Sequence, residues 1–328
     1  LILFFLYLLP YRPMEEGNQS EISEFILLGL SDQPEQQRLL FCLFLFMYLI
    51  TGLGNLLIIL AISSDPHLHT PMYFFLSNLS LVDIGFTSTT IPKMLNNHIS
   101  RNRTIPYAGC LTQAFFFIWF GGIDSVLLTA MAYDRYVAIC NPLYYNTVMT
   151  PKVCAFLILI SWSWACGNAL TETLLLTQLS FCGYSEIPHF FCDLSALLKL
   201  ACSDTFINNL VVNTVGALIV FLPFTGILIS YAHIFMAVMK ISSVSGKQKV
   251  FFTCGSHLTV VCLFYGTVIG VYFSPTSIHT TQQDIAATVM YTVVTPMLNP
   301  FIYSLRNKDM KRALRMLIPR KLRFIIRL

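Results

Sequence analysis

The sequence predicts an all-α membrane protein: a seven-transmembrane helix bundle followed by a short amphipathic C-terminal helix. Three observations predict it. Of 328 residues, 55% are hydrophobic and 11% charged, with a mean hydropathy of +0.68, whereas soluble domains carry about 25% charge. Apolar runs long enough to cross ~30 Å of hydrocarbon as helices recur seven times. Lys and Arg fall mainly on one side of those runs. The same composition excludes a soluble two-domain enzyme and a disordered chain. The runs are continuous and more than twice the ~10-residue alternating segments of a β-barrel, which excludes that architecture too.

Residues 1–38 form the N-terminal segment. Leu1–Leu9 is apolar but too short to span, and lacks the basic region of a signal peptide. Met14 opens Met-Glu-Glu-Gly-Asn-Gln-Ser, which reads as a natural start, so residues 1–13 are expected to be upstream extension. Asn18-Gln-Ser20 is a glycosylation sequon. The helical domain, residues 39–305, holds spans at Leu39–Ile62, Met72–Pro92, Leu111–Tyr133, Val153–Leu176, Phe206–Met239, Val250–Phe273 and Ile285–Leu305. Pro223, Pro275 and Pro296 lie in or beside spans, where neighbouring helices can satisfy the carbonyls they free. Residues 306–328 mix Arg and Lys with Met310, Leu314, Leu317 and Ile318. That pattern suits an amphipathic helix on anionic membrane lipid, the alternative being a solvated basic tail.

Orientation follows from the cations. With the N-terminus outside, Arg135, Lys152, Lys240, Lys247, Lys249, Arg306, Lys308, Lys311, Arg312, Arg315, Arg320, Lys321, Arg323 and Arg327 are cytoplasmic. Arg12, Arg38, Lys93, Arg101, Arg103 and Lys199 are external. Fourteen against six places the C-terminus inside. Cys110, Cys182, Cys192 and Cys202 then share the oxidising side, an even set that allows three pairings. The other six cysteines lie in spans or at cytoplasmic ends and are expected to be free thiols.

Two carboxylates, Asp83 and Asp124, sit in mid-span. Buried unpaired anions are costly, so a cation, a proton or both should occupy the site, with Asn55 and Asn299 at comparable depth supplying oxygens. An apolar cavity is expected in the outer half of spans three, five, six and seven. Helical spacing places Phe117, Ile118, Gly121 and Gly122 on one arc of span three, Val215, Gly216 and Ile219 on span five, Tyr265, Val268, Ile269 and Tyr272 on span six, and Val289 and Thr292 on span seven. Seven scattered histidines with no HExxH spacing, and no P-loop, leave no catalytic set, so no enzyme activity is expected.

Met131-Ala-Tyr-Asp-Arg-Tyr-Val-Ala-Ile-Cys140 closes the third span. It resembles the Asp-Arg-Tyr motif of rhodopsin-like G-protein-coupled receptors, in the form seen in vertebrate olfactory receptors of the tetrapod-type group. Leu68-His-Thr-Pro-Met-Tyr-Phe-Phe-Leu76, Ser230-Tyr231, Lys249–Leu258, Pro296-Met-Leu-Asn-Pro-Phe-Ile-Tyr303 and the Phe190–Ser203 loop match the same family, across residues 18–312. Val250, Phe252 and Gly255 stand where that family more often has Ala, Ser and Ser.

The resemblance implies a plasma-membrane odorant receptor. It would bind small volatile hydrophobic ligands inside the bundle, activate a stimulatory heterotrimeric G protein and raise cyclic AMP, with no nucleic-acid partner. It implies a switch of Asp134, Arg135, Tyr136, Tyr231, His257, Asn299, Pro300 and Tyr303, in which Asp134 holds Arg135 at rest. It implies disulfides Cys110–Cys192 and Cys182–Cys202, and a sodium ion held by Asp83, Asp124, Asn55 and Asn299 in place of a shared proton. A transporter using Asp83 and Asp124 is disfavoured by the missing internal repeat. A receptor for amines would want a carboxylate on the outer half of span three, where Phe117 stands.

Overall fold

The computed structural model describes residues 23–31, 33–100, 102–183, 185–272, 281–305 and 307–317. Residues 1–22, with Met14 and the Asn18 sequon, therefore lie outside the described residues, as do Phe273, Pro275 and Ile318. Among those described, seven long helices build a bundle: α1 (Pro34–Ser64), α2 (Pro71–Ser100), α3 (Tyr107–Cys140), α4 (Pro151–Leu176), α5 (Phe206–Met239), α6 (Val244–Tyr272) and α7. In α7 the α-helical parts Thr281–Val289 and Thr295–Leu305 flank a π-helical turn, Met290–Val294. The amphipathic α8 (Lys308–Leu317) follows. Three helices open on proline, Pro34, Pro71 and Pro151, whose missing N–H costs nothing in the first turn.

Six of the seven are long and apolar enough to cross a membrane. The exception is α2, 30 residues long but carrying Ser80, Asp83, Thr87 and Thr90 on its buried face. Its polarity points into the bundle, so a span-wide average understates how apolar its outer face is. On α1 the arrangement is the reverse of a soluble helix: Asn55 and Thr51 are fully buried while Leu39, Phe46 and Leu53 are exposed. Apolar side chains facing outward suit a lipid solvent.

At the centre stands α3, packed against α2, α4, α5 and α6. Close approach is set by glycine at Gly122, where an added Cβ would lie 2.9 Å from Ile219 on α5 and 3.0 Å from Ala165 on α4. Two prolines create cross-helix ties. Pro223 has no N–H to offer the Ile219 carbonyl four residues back, and Ser125 Oγ of α3 donates to that carbonyl at 2.8 Å. Likewise Pro300 frees the Pro296 carbonyl, and Asn55 Nδ2 of α1 donates to it at 3.2 Å. Each orphaned acceptor is satisfied by a neighbour, as a lipid-embedded backbone requires.

One end of the bundle is roofed. Strand β1 (Glu24–Leu27) pairs antiparallel with β2 (Thr104–Pro106) and parallel with β3 (Glu186–Ile187). Phe25 and Leu27 are fully buried there, in a second core with Ile105, Leu176, Phe181 and Ile187. Disulfides Cys110–Cys192 and Cys182–Cys202 join this roof to α3 and close the loop that holds the short helix Leu194–Leu200. Gln113, one turn past Cys110, accepts from Cys192 N at 2.9 Å and donates to Thr89 O at 2.8 Å, tying α3, the roof and α2 together.

At the opposite end α8 docks its apolar face, with Met310 and Ala313 buried and Lys311, Arg312 and Arg315 exposed. Asn307 caps it, accepting from Asp309 N and Met310 N, while its amide donates to Tyr73 Oη of α2 at 2.7 Å. Asp65, buried after α1, accepts from His67 N at 3.0 Å and forms an ion pair with Arg312 at 3.5 Å.

Candidate functional site

Beneath the roof lies a cavity of about 440 Å³, within the range of small-molecule sites. Seven of the residues expected from helical spacing line it: Phe117, Ile118, Gly121 and Gly122 of α3, Gly216 and Ile219 of α5, and Val268 of α6. Phe86 and Tyr291 add aromatic wall, with Phe86 and Phe117 ring centroids 5.1 Å apart. Val215, Tyr265, Ile269, Val289 and Thr292 do not line it, and the Tyr272 side chain lies outside the described residues. Two of these have clear structural positions. Tyr265, 1% exposed, turns into the α3–α5 seam, where its hydroxyl donates to Ser125 O at 3.1 Å. Thr292 donates to Thr288 O within the π turn region and is fully buried.

The cavity leans further toward α4 and α5 than the spacing of apolar residues suggests. Asn168 and Glu172 of α4, Asn209 and Asn213 of α5, and Asp193, Ser195 and Lys199 of the roof all line it. Interruption of an apolar run is the sequence signal that marks Glu172, since it is the lone charge in span four apart from the helix start. Asn168 lies one helical turn before it.

Under the cavity, Ser125 Oγ lies 2.8 Å from Tyr265 Oη and donates to Ile219 O, so α3, α5 and α6 meet at one hydroxyl. Deeper still, Asp83 accepts both oxygen contacts from Asn299 Nδ2, at 3.1 and 2.9 Å. Three nearby buried oxygens, Asn55 Oδ1, Asp124 Oδ1 and Asn299 Oδ1, have no hydrogen-bond partner. Such orphans call for an occupant. All-oxygen donors with two carboxylates fit a hard monovalent cation such as sodium, whereas no cluster of three His, Cys, Asp or Glu among the described residues suits a transition metal.

Toward the α8 end, Arg135 is 3% exposed and its Nη1 donates to Met131 O at 3.3 Å. Among the described residues Asp134 and Arg135 form no direct ion pair, and Asp134 accepts from Tyr145 Oη at 2.8 Å. Tyr145, on the turn of helix after α3 (Tyr145–Val148), supplies a neutral donor. That leaves the guanidinium turned inward, within electrostatic reach of Tyr231, His257 and Tyr303. His257 is fixed by both ring nitrogens: Nε2–H donates to Leu128 O at 3.0 Å, so Nδ1 accepts from Tyr231 Oη at 2.8 Å. Tyr136 packs against His233, ring centroids 5.5 Å apart, on the outer side of α3. Tyr303 Oη has no partner, and Pro300 packs against Gly54, whose Cβ would lie 3.0 Å from the proline ring.

Comparison with known proteins places this arrangement. Residues 43–321 match the family model for olfactory receptors. Olfactory receptor 1f45 of Rattus norvegicus is 61% identical over 302 residues, covering 92% of this chain and 96% of its own. Olfactory receptor 1M1 of Mus musculus is 56% identical over 94% of this chain and 99% of its own. Olfactory receptor 7C1 of Homo sapiens is 59% identical, covering 94% and 96%. Squid rhodopsin has the same fold, with a TM-score of 0.71 at 18% identity, over 88% of this chain and 87% of that one. A seven-helix bundle, an Asp-Arg-Tyr end to α3 and this breadth of identity converge on one conclusion: the chain belongs to the olfactory receptor family.

Proposed function

We propose that the protein is a plasma-membrane odorant receptor, roofed end outside and α8 inside, that couples to a stimulatory heterotrimeric G protein and raises cyclic AMP. The observation that carries the reading is the separation of two sites along shared helices. The cavity under the roof is too far from Arg135 for one ligand to touch both. An odorant must therefore bias a two-state helix arrangement by binding one state better. Three of the helices that line the cavity, α3, α5 and α6, are joined by Ser125 and Tyr265 below it and by Leu128, Tyr231 and His257 near Arg135. Movement of α6 thus reaches the Arg135 site through named bonds. The exposed cations of α8 favour contact with anionic lipid.

The test is odorant-evoked cyclic AMP in transfected cells, with a panel of small volatiles. Arg135→Ala should abolish the response at matched surface level while odorant binding persists. A normal response from that variant would show that Arg135 does not carry the signal.

Sodium belongs to the same reading. Asp83, Asp124, Asn55 and Asn299 would hold it, and it would supply a positive charge between two carboxylates. A cation that favours the resting state stabilises it by mass action, so basal cyclic AMP should fall as sodium rises, and Asp124→Asn should flatten that dependence. Basal activity independent of sodium in the unaltered receptor would leave the pair to a shared proton.

A further inference from the structure

The α4 side of the cavity wall carries a buried carboxyl group. Glu172 of α4 is 4% exposed, and among the described residues no cation lies within ion-pair distance of it. An ionised carboxylate buried in a membrane-spanning bundle is expensive without a counter-charge. Asn168, one turn earlier, is 6% exposed, and its Oδ1 has no hydrogen-bond partner among the described residues. The space in front is kept open by Gly216 of α5, where an added Cβ would lie 3.9 Å from Glu172 Oε1.

The other charges on the wall do not compete for the same place. Asp193 is engaged as the cap of the loop helix, accepting from Ser195 N and Ala196 N. Lys199 is exposed to solvent. The α4–α5 side of the cavity therefore offers acceptors and a carboxyl group, beside an apolar wall of Phe117, Ile118 and Val268.

We propose that Glu172 is the polar anchor of the cavity and that the receptor's preferred ligands are small apolar amines, bound as ammonium ions. An ammonium brings both the missing charge and several N–H donors, whereas an alcohol brings a single donor and no charge. The carboxylate comes from α4, so the apolar Phe117 on α3, which argues against an amine ligand when the sequence is read alone, is no obstacle. Phe117 instead packs the carbon skeleton. This inference rests on the odorant-receptor reading and specifies its ligand class.

The experiment compares amines, alcohols, aldehydes and carboxylic acids built on the same heptyl, cyclohexyl and phenylethyl skeletons, by cyclic AMP dose–response at matched surface level. Amines should be at least about tenfold more potent than matched alcohols, the minimum expected for a desolvated charge pair. Glu172→Gln should erase that advantage while alcohol responses survive. Gly216→Ala, which puts a methyl group at ordinary contact distance before the carboxylate, should weaken amines selectively and decides the matter if Glu172→Gln fails to reach the surface. An unchanged potency order in the variants overturns the proposal, as does a preference for acids, which would make Lys199 the anchor. If no compound of any class activates a receptor present at the surface, the odorant-receptor reading itself fails.

Discussion

Gly122 shows how much one missing side chain can decide. It lines the cavity and is also the point where α3 meets both α4 and α5. Ile219 could rotate away from an added methyl group, but the Ala165 Cβ at 3.0 Å can move only with its backbone. Gly122→Ala should therefore destabilise the bundle by about 1–3 kcal/mol, seen as lower thermal stability of the purified receptor. Gly121→Ala, whose Cβ would stand at an ordinary 3.7 Å from Phe86, should not. Helical spacing puts both glycines on one arc of span three, and both line the cavity. It could not separate them, because the partners that crowd Gly122 come from other helices. Nor could it foresee that Asp134 would be taken by Tyr145, eleven positions on, since that depends on how the connecting turn folds back.

The elements were largely legible. Each predicted span lies within an observed helix over its described residues, because about 20 apolar residues in lipid can satisfy their backbone only as a helix. The strands were not legible: with 4, 3 and 2 residues they are too short for a period-two pattern. In the sequence Glu172 is only a charge near the end of an apolar run, since its meaning depends on the cavity beside it. α8 was predicted from its mixed composition, but what holds it was not. The His67 backbone N–H, then its ring nitrogen, hold the Asp65 carboxyl below the usual carboxylate range, with Arg312 adding to the effect. A carboxyl with a lowered folded-state value contributes its stability above the ordinary value of about 3.9 and loses it as pH falls through the folded value. A fluorophore at Arg315→Cys should thus report firm α8 docking from neutral pH down to the ordinary carboxylate range, and loosening only below it. In Asp65→Asn the looser signal should already be present at neutral pH. Equal signals from the two proteins would remove Asp65 from the docking of α8.

At the scale of the whole molecule, the two ends of the bundle are held by different chemistry. The α8 end relies on hydrogen bonds and on the Asp65 carboxylate that Arg312 pairs with, while the roof has covalent ties. Cys110–Cys192 closes a loop with a sequence separation of 82, for which chain-entropy reasoning gives about 4.5 kcal/mol. Cys182–Cys202, with a separation of 20, should contribute less, about 3 kcal/mol. Cys192→Ser should accordingly reduce surface expression more than Cys202→Ser, measured by surface labelling. The reverse order would mean that the helix Leu194–Leu200, not the anchor on α3, is the part of the roof that needs covalent support.

The central position of β1 also sets an order of assembly. This strand is synthesised before all seven bundle helices, yet one of its neighbours, β2, follows α2 and the other, β3, follows α4. During biosynthesis β1 waits with both edges open until two helices have been made, and with one edge open until four have. A nascent chain arrested between α3 and α4 can have one ladder and not the second. The roof is therefore closed late, and its completion reports that more than half the bundle has been correctly threaded.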